Sequence, residues 1–447
     1  MIGYSGGKDS TTALQLIWHA IASLPAGERQ KPVHVLSSDT LVETPVIVDY
    51  IDTTLERINQ VAERLGLPFR AQKVTPQVTD SFWVNLIGRG YPAPSKRFRW
   101  CTERLKIKPA NRFILEQVSR YGEVILVLGV RKAESATRAQ VMALHKRPGD
   151  RLARHTDLAG AWVYAPIADW TTDDVWNYLL NVPSPWGNQN RDLVTLYRNA
   201  QAGECPLVVD KTTPSCGNSR FGCWVCTVVQ QDHSMESLIE NGEEWMQPLL
   251  EIRDWLASTQ DPAQKGKFRR LRRRDGTIKV GVGEGKKVGW GPYEMWVRKD
   301  ILRRVLQAEK RIRQANPDGE MSPIFPEELH EIRRIWRTEE GDWEDSLPGI
   351  YREVFGQDLD WVDDDVGGST KLDAEVLRRV CGRNDLPSDL LRELVDVVRQ
   401  HHGMSRRSGI YNRIEAVLRK DWRDRDEVLA SLPGAPGEGS KERPLAD

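Results

Sequence analysis

Apolar and polar positions alternate differently in the two halves of the chain. Up to about residue 170, short apolar runs are separated by amphipathic stretches. Val33-His34-Val35-Leu36, Phe69 to Val74, Val124 to Val130 and Trp162-Val163-Tyr164 read as strands. Thr12 to about Ala22 and Pro45 to Leu65 repeat apolar residues every three or four positions, which predicts helices. Val124 to Val130 is almost uninterrupted apolar sequence, as in strands buried on both faces of a parallel sheet. Strands alternating with helices predict an α/β fold with a doubly wound, mostly parallel sheet. Beyond residue 290 helical spacing dominates, over Tyr293 to Ala315, Pro326 to Trp336, Leu372 to Arg399 and Ser408 to Leu432. Asp358 to Asp365 is an acidic link, and Pro433 to Asp447, polar and rich in Pro and Gly, is expected to be disordered. The expected organisation is an α/β domain over 1–190 and a cysteine-rich insertion over 191–260. A basic loop with helices follows over 261–345, then a helical C-terminal region over 346–447.

Composition narrows the function classes. The chain has 447 residues, with 64 Lys and Arg against 64 Asp and Glu. No whole-protein field therefore draws it to nucleic acid, and any such binding must come from local patches. No apolar run approaches the roughly 18 residues of a membrane span, so no membrane partner is expected. A glycine-rich loop begins at the fifth residue, which no signal peptide would contain, and a cytoplasmic location is expected. Six cysteines in such a chain point to metal binding or reactive thiols rather than disulfides. A first strand confined to Met1 to Tyr4 is short for the middle of a sheet, and upstream residues completing this edge are expected.

The strongest chemical signal is Ser5-Gly6-Gly7-Lys8-Asp9-Ser10, placed between a scrap of strand and a helix. Two glycines permit a sharp turn and close approach of a ligand to the backbone. N–H groups at the start of the helix then converge on one spot favourable to negative charge. Ser5, Ser10 and Thr11 add hydroxyls, Lys8 a point charge, and Asp9 a candidate Mg²⁺ ligand. The spacing is not that of a Walker A loop. It matches at every position the SGGxDS motif of the ATP-pyrophosphatase (PP-loop) superfamily, which the chain resembles. That resemblance implies ATP cleavage between the α and β phosphates and adenylation of a substrate oxygen. Ser38 to Thr40 and Arg131 also fall at strand ends, where ligands of such sheets bind. Asp39 either contacts ribose or metal, or caps its own turn.

Between Gly90 and Lys108, basic and aromatic residues surround a single thiol, Cys101. Lys96, Arg97 and Arg99 are candidate nucleic-acid phosphate contacts, with Arg104, Lys106 and Lys108 able to neutralise phosphates alongside them. Trp100 and Phe98 either stack on a base or pack in the core, the simpler reading. The cations favour the thiolate form of Cys101. Arg131 and Arg138, in Gly129 to Arg138, could clamp an anion, with Glu134 holding one of them. This GxRxxES segment, with Pro166 to Trp170 and Asp174 to Tyr178, resembles the phosphoadenosine-phosphosulfate reductase branch of the superfamily. Asp174 to Tyr178 itself reads as a surface helix with an aromatic core face.

Cys216, Cys223 and Cys226 lie in a C-x6-C-x2-C run, with Cys205 shortly before it. Thiols this close suit [4Fe–4S] or zinc, and spacing alone does not choose. Cys381, alone in a helical region, reads as a buried structural thiol. Phe82 to Gly88, Phe98 to Lys106 and Cys216 to Cys226 resemble the DndC family, the sulfurtransferases of DNA phosphorothioation systems, with the SspD family of the single-strand version close by. The resemblance implies a [4Fe–4S] cluster held by Cys101, Cys216, Cys223 and Cys226, with Cys205 as sulfur carrier or substitute ligand. It also implies ATP and Mg²⁺ as cofactors, and DNA, a cysteine desulfurase and other phosphorothioation subunits as partners. Lys8, Asp9 and Cys205 are the candidate catalytic residues. Ser5, Gly6, Gly7, Ser10, Asp39, Arg131 and Arg138 complete the ATP site.

Asp261 to Lys287 carries seven Lys and Arg before a glycine-rich stretch and reads as a mobile loop or hairpin. Such a run is either a solvated face or a DNA contact, for which Arg269, Arg270 and Arg272 are the candidates. The implied activity is ATP-dependent replacement of a DNA phosphate oxygen by sulfur. The alternative is a reductase of adenylylsulfate or its phosphorylated form. Against that alternative stand the intact loop and the lack of a C-terminal Glu-Cys-Gly tail. A non-catalytic DNA-binding subunit that uses nucleotide to switch shape is a third possibility.

Overall fold

A computed structural model describes residues 1–134, 140, 151–194, 222–280, 288–317, 321–361, 371–384, 386–401 and 409–430. The chain forms two compact units. The first comprises residues 1–82, 93–258 and 308–325; the second comprises 83–92, 259–307 and 326–447.

The first unit is α/β. Its six strands are β1 (Ile2–Gly3), β2 (Val33–Ser38), β3 (Phe69–Val74), β4 (Val124–Val127), β5 (Ala153–Arg154) and β6 (Ala161–Tyr164), in the order β3-β2-β1-β4-β6-β5. All neighbours are parallel except β5, which runs antiparallel to β6 at one edge. The chain winds outward from β1 to β3, then returns to place β4 on the other side of β1. This reversal opens a crevice at the carboxyl ends of β1 and β4, where sheets of this kind bind ligands. β1 is short, yet it is paired on both sides, Ile2 with Val35 and with Val127.

Helices α1 (Lys8–Ala22), α2 (Pro45–Arg64), α3 (Lys108–Tyr121) and α4 (Thr172–Asn181) accompany the sheet. Apolar spacing in α2 puts Ile47, Ile51, Leu55 and Ile58 on one buried face against Ile2, Tyr4 and Val35. Trp18 of α1 stacks on Phe69 of β3, with ring centroids 4.5 Å apart, and closes the same core. A smaller cluster joins Ile114 of α3 to Val124, Leu126 and Ala161. α4 is a surface helix whose Val175 and Leu179 face inward. Thr171 and Asp174 form a reciprocal cap at its start, so the Asp174 carboxylate serves the helix terminus. Helices α5 (His233–Glu240) and α6 (Gln247–Ser258) follow the cysteine segment.

Helix α7 (Met295–Ala315) runs through both sets of residues, its last turns belonging to the first unit. The second unit is otherwise helical: α8 (Pro326–Glu339), α9 (Ser346–Phe355), α10 (Lys371–Asn384), α11 (Ser388–Gln400), α12 (Ile410–Leu418) and α13 (Arg425–Ala430). A π-helical turn, Val84–Gly88, packs against α8, and Trp336 Nε1 donates to Ile87 O at 2.9 Å. Arg298 is buried beside it, donating to Gly88 O at 3.1 Å and pairing with Glu340 at 3.0 Å. Burial pulls the Arg298 guanidinium down to about 10 despite that carboxylate.

Two expected helices are broken. Leu372 to Arg399 is split into α10 and α11 because Pro387, at the start of α11, has no N–H and disfavours helical geometry before it. Ser408 to Leu432 divides into α12 and α13. There Trp422 Nε1 donates to Val417 O at 2.9 Å, and Asp424 Oδ1 accepts from Asp426 N at 2.7 Å, capping a new start. Residues Pro433 to Asp447 lie outside the described residues.

Candidate active site

The loop Ser5 to Ser10 leaves β1 at the crevice. Gly6 takes φ +76°, a left-handed conformation that needs glycine, and Gly7 precedes α1 with no side-chain cap on the first-turn N–H groups. Ser10 Oγ donates to Gly7 O at 2.9 Å and accepts from Ser5 N at 3.2 Å, which holds the turn closed. Thr12 Oγ1 donates to Lys8 O at 2.8 Å.

Three buried charges meet in this loop. Lys8, Asp9 and Arg131 are 7%, 2% and 3% exposed. Lys8 Nζ lies 3.0 Å from Asp9 Oδ2. Arg131, which follows β4, donates from Nε to Asp9 Oδ1 and from Nη2 to Asp9 Oδ2 at 3.5 Å, and from Nη1 to Thr172 Oγ1 at 3.3 Å. Among the described residues, two cations face this one carboxylate at a helix N-terminus. Such a site attracts an anion. Gly129 makes the approach of β4 possible, because a Cβ there would lie 2.5 Å from Asp9 O and 2.8 Å from Ser10 N.

On the other flank, at the carboxyl end of β2, the Ser38 hydroxyl oxygen is buried with no partner among the described residues. Asp39 accepts from Leu41 N at 2.9 Å and pairs with Lys73 at 3.1 Å. The carboxylate thus caps its turn.

The cysteine segment docks on this same loop after β2. Thr44 N and Oγ1 donate to Gly222 O at 2.9 and 2.7 Å, and Trp224 N donates to Val42 O at 3.0 Å. Cys223 Sγ lies 3.2 Å from Thr40 Oγ1 and 3.6 Å from Glu43 Oε1, and Lys106 Nζ stands 3.7 Å from the same Glu43 oxygen. Burial, then the Glu43 carboxylate, push the Cys223 thiol well above its ordinary range, against Lys106. Cys226 N donates to Cys223 O at 3.1 Å, the tight turn that two-residue cysteine spacing forms. Buried Arg253 of α6 then gathers the following backbone, donating to Cys226 O at 3.0 Å, Gln230 O at 2.7 Å and Val229 O.

β1 and β2 are parallel neighbours, so the nucleotide loop and the Cys223–Cys226 turn both leave the carboxyl edge of the sheet. Two thiols in this turn are a suitable start for a thiolate-ligated centre. Among the described residues, no group of three or more His, Cys, Asp and Glu side chains is placed to hold a metal ion. Cys101 begins a π-helical turn, Thr102–Ile107. Cys205, Cys216 and Arg138 lie outside the described residues.

The basic candidates separate by environment. Lys96 and Arg97 are exposed at the tip of a turn closed by Ser95 and Phe98, whose N–H groups each donate to the other's carbonyl at 3.1 Å. Arg99 is half-buried. Arg104 and Lys108 are both engaged by Asp80. Trp100 packs on Phe82 at 5.4 Å, whereas Phe98 is 47% exposed, contrary to a core position, because its turn projects it outward. In the second unit, Arg269 donates to Gly291 O and Trp290 O, both at 2.7 Å. Arg270 pairs with Glu294 and Glu340, and Arg272 with Glu393. These three arginines bind the chain's own backbone and carboxylates.

Sequence reading missed Glu43, Thr44 and Arg253. A lone Arg in an amphipathic helix carries no local signal that its guanidinium will be buried under a cysteine turn.

Residues 1–229 match the phosphoadenosine phosphosulfate reductase domain. Residues 372–419 match a small protein found in certain Dnd DNA modification systems. Two relatives from Methanocaldococcus jannaschii are the uncharacterized protein MJ0066, 26% identical over 230 residues, and the uncharacterized protein MJ0973, 25% identical over 176 residues. The matches cover 52% and 39% of this chain. They span 36% and 34% of those proteins, so the chain covers about a third of the length of the curated relatives it matches. No described helix is long and apolar enough to cross a membrane. With the reductase-type domain spanning half of its length, over the sheet that carries the loop, the chain belongs to the phosphoadenosine phosphosulfate reductase domain family.

Proposed function

We propose that the chain is a sulfurtransferase of DNA phosphorothioate modification, of the DndC type. The observation that carries this reading is the junction of the Ser5–Ser10 loop with Arg131 at the β1–β4 crevice, a cationic cradle for a triphosphate. The match of residues 372–419 to a small protein of Dnd systems supports the choice of DNA as substrate.

In the first step, a non-bridging oxygen of a DNA phosphodiester attacks the α phosphorus of ATP. The bond to the β phosphate breaks and pyrophosphate leaves. Backbone N–H groups of the loop, the Ser5 and Ser10 hydroxyls and Lys8 stabilise its charge. Before ATP arrives, Lys8 and Arg131 share the Asp9 carboxylate, which offsets only part of their charge. The triphosphate gives both cations a new partner and frees the carboxylate for Mg²⁺, which when bound offsets charge on the leaving group. In this reading Arg131 and Arg138 hold the substrate phosphate, and Asp39 would exchange part of its turn-capping role for a bond to the ribose. In the second step, hydrosulfide attacks the DNA phosphorus and AMP departs with the former DNA oxygen. Phosphorothioate, AMP and a proton result. A persulfide on Cys205, loaded by a cysteine desulfurase, would need a second thiol to supply the two electrons that split its S–S bond.

Cys101, Cys216, Cys223 and Cys226 would hold a [4Fe–4S] cluster, which when bound would present sulfur or order the site. This chain's residues shape its seat: Thr44 and Arg253 fix the Cys223–Cys226 turn, and Lys106 offsets thiolate charge.

Anaerobically purified protein, with DNA, ATP and a sulfide source, tests the reading. Pyrophosphate release should require DNA and vanish in Asp9→Ala. DNA-independent release, or thiol-driven sulfite production from phosphoadenylylsulfate, would overturn it.

A further inference from the structure

The second unit contains a cleft of about 430 Å³ that the sequence did not reveal. One wall is the basic loop Arg270 to Gly276; the others are the end of α8, one face of α11, and α12. The loop is tied down at Gly276, whose carbonyl accepts from Asp421 N at 2.9 Å. Most charges in the cleft are spent on one another: Arg270 on Glu340, Arg272 and Lys420 on Glu393, and Arg392 on Asp389. Asp396 accepts from Trp343 Nε1 at 2.8 Å.

Three guanidinium groups have no carboxylate partner among the described residues. Arg273 makes no side-chain hydrogen bond or ion pair there, and the nearby Asp275 carboxylate acts on it only through space. Arg274 donates to Arg89 O at 2.6 Å and lies over the Tyr91 ring, and Arg413 donates to Gln400 Oε1 at 3.0 Å. Arg273, Arg274 and Arg413 are exposed, so they keep donors available to an incoming oxyanion. They come from two elements of the lining, two from the basic loop and one from α12.

We infer that this cleft binds the phosphodiester backbone of a DNA strand through Arg273, Arg274 and Arg413. This rests on the DNA-modifying reading above and relocates the contact. The neighbouring arginines that the charge run picks out brace the walls, and the ligand meets those the walls leave over. Arg413 lies within the stretch resembling the small protein of Dnd systems, so that stretch supplies one side of the site.

The test is fluorescence anisotropy of labelled oligonucleotides, single- and double-stranded, with the full chain over a range of salt. Arg273→Gln and Arg413→Gln should each weaken binding roughly four- to fivefold near physiological salt and lower the log–log salt slope by about one. The double variant should lose about twentyfold. Arg311→Gln, an equal charge loss at an exposed pair with Glu251, should leave affinity unchanged. Wild-type affinity and slope in the cleft variants, with unaltered thermal melts, would overturn the inference, as would an equal loss in Arg311→Gln. If the cleft variants lose DNA while pyrophosphate release never depends on DNA, the cleft stands and the sulfurtransferase reading falls.

Discussion

Arg131 reaches Asp9 across 122 residues of chain, Nη2 donating to Oδ2 at 3.5 Å and Nε to Oδ1. Lys8 shares the same carboxylate. One buried anion therefore holds two buried cations at a helix N-terminus, and removing the anion leaves both without the carboxylate that pairs them.

Asp9→Asn should cost stability, on the order of 3 kcal/mol, because two buried cations lose their counter-charge. Pyrophosphate should restore part of it, raising the melting temperature more in the variant than in the wild type. ATP cleavage should nevertheless fall at least about a hundredfold, the scale of losing a transition-state electrostatic contact. A smaller pyrophosphate shift in the variant would contradict the cationic cradle.

Gly129→Ala places a methyl group 2.5 Å from the Asp9 carbonyl oxygen and 2.6 Å from its carbon. Both are backbone atoms, so no rotamer change relieves the clash. Equilibrium denaturation should register a loss of about 1–3 kcal/mol, and calorimetry a weakened ATP affinity. Gly27→Ala, with nothing within 4 Å of the new Cβ, is the control. Equal behaviour of the two variants would mean that β4 does not press on the loop.

Arg253→Lys keeps a charge but loses the planar fork that serves three carbonyls after Cys226. We expect a cost of about 2–4 kcal/mol from stranded buried acceptors. Hydrogen exchange should rise at residues 226–230 ahead of the rest of the first unit. Exchange unchanged there would remove Arg253 from its place in organising the cysteine turn.

Burial raises the Asp396 carboxyl above its ordinary 3.8, outweighing the Trp343 hydrogen bond and the cations Arg392 and Arg399; Glu393 adds to the rise. The native state then holds this proton more tightly than the unfolded chain. Its contribution to stability is therefore greatest below 3.8 and declines as pH rises through the native value. Asp396→Asn keeps an acceptor for Trp343 without that penalty. Melting curves should show the variant gaining on the wild type as pH rises from 4, then holding a constant difference. A difference independent of pH would show that this carboxyl does not titrate abnormally.

Much of the first unit was legible because its signals are local. Apolar spacing marked α2 to within a residue of its end, and the run Val124 to Val130 marked β4, which ends at Val127. The alternation of strand and helix implied the parallel sheet. The glycine loop announced an anion site through residues adjacent in sequence. The helical region was less legible where a single proline or a capping aspartate interrupted a continuing apolar pattern, as at Pro387 and Asp424.

The sequence by itself determined the α/β class, the loop before α1 and the concentration of thiols near residue 220, because each is a property of consecutive residues. Tertiary structure alone decided that Gly129 and Arg131 press on Asp9, that Arg253 lies under the cysteine turn, and that Arg269, Arg270 and Arg272 are taken up inside the second unit while Arg273 is left over. Whether a charge is free or spent depends on which elements fold against it, and side chains that share a composition differ only in the partners that packing brings within reach.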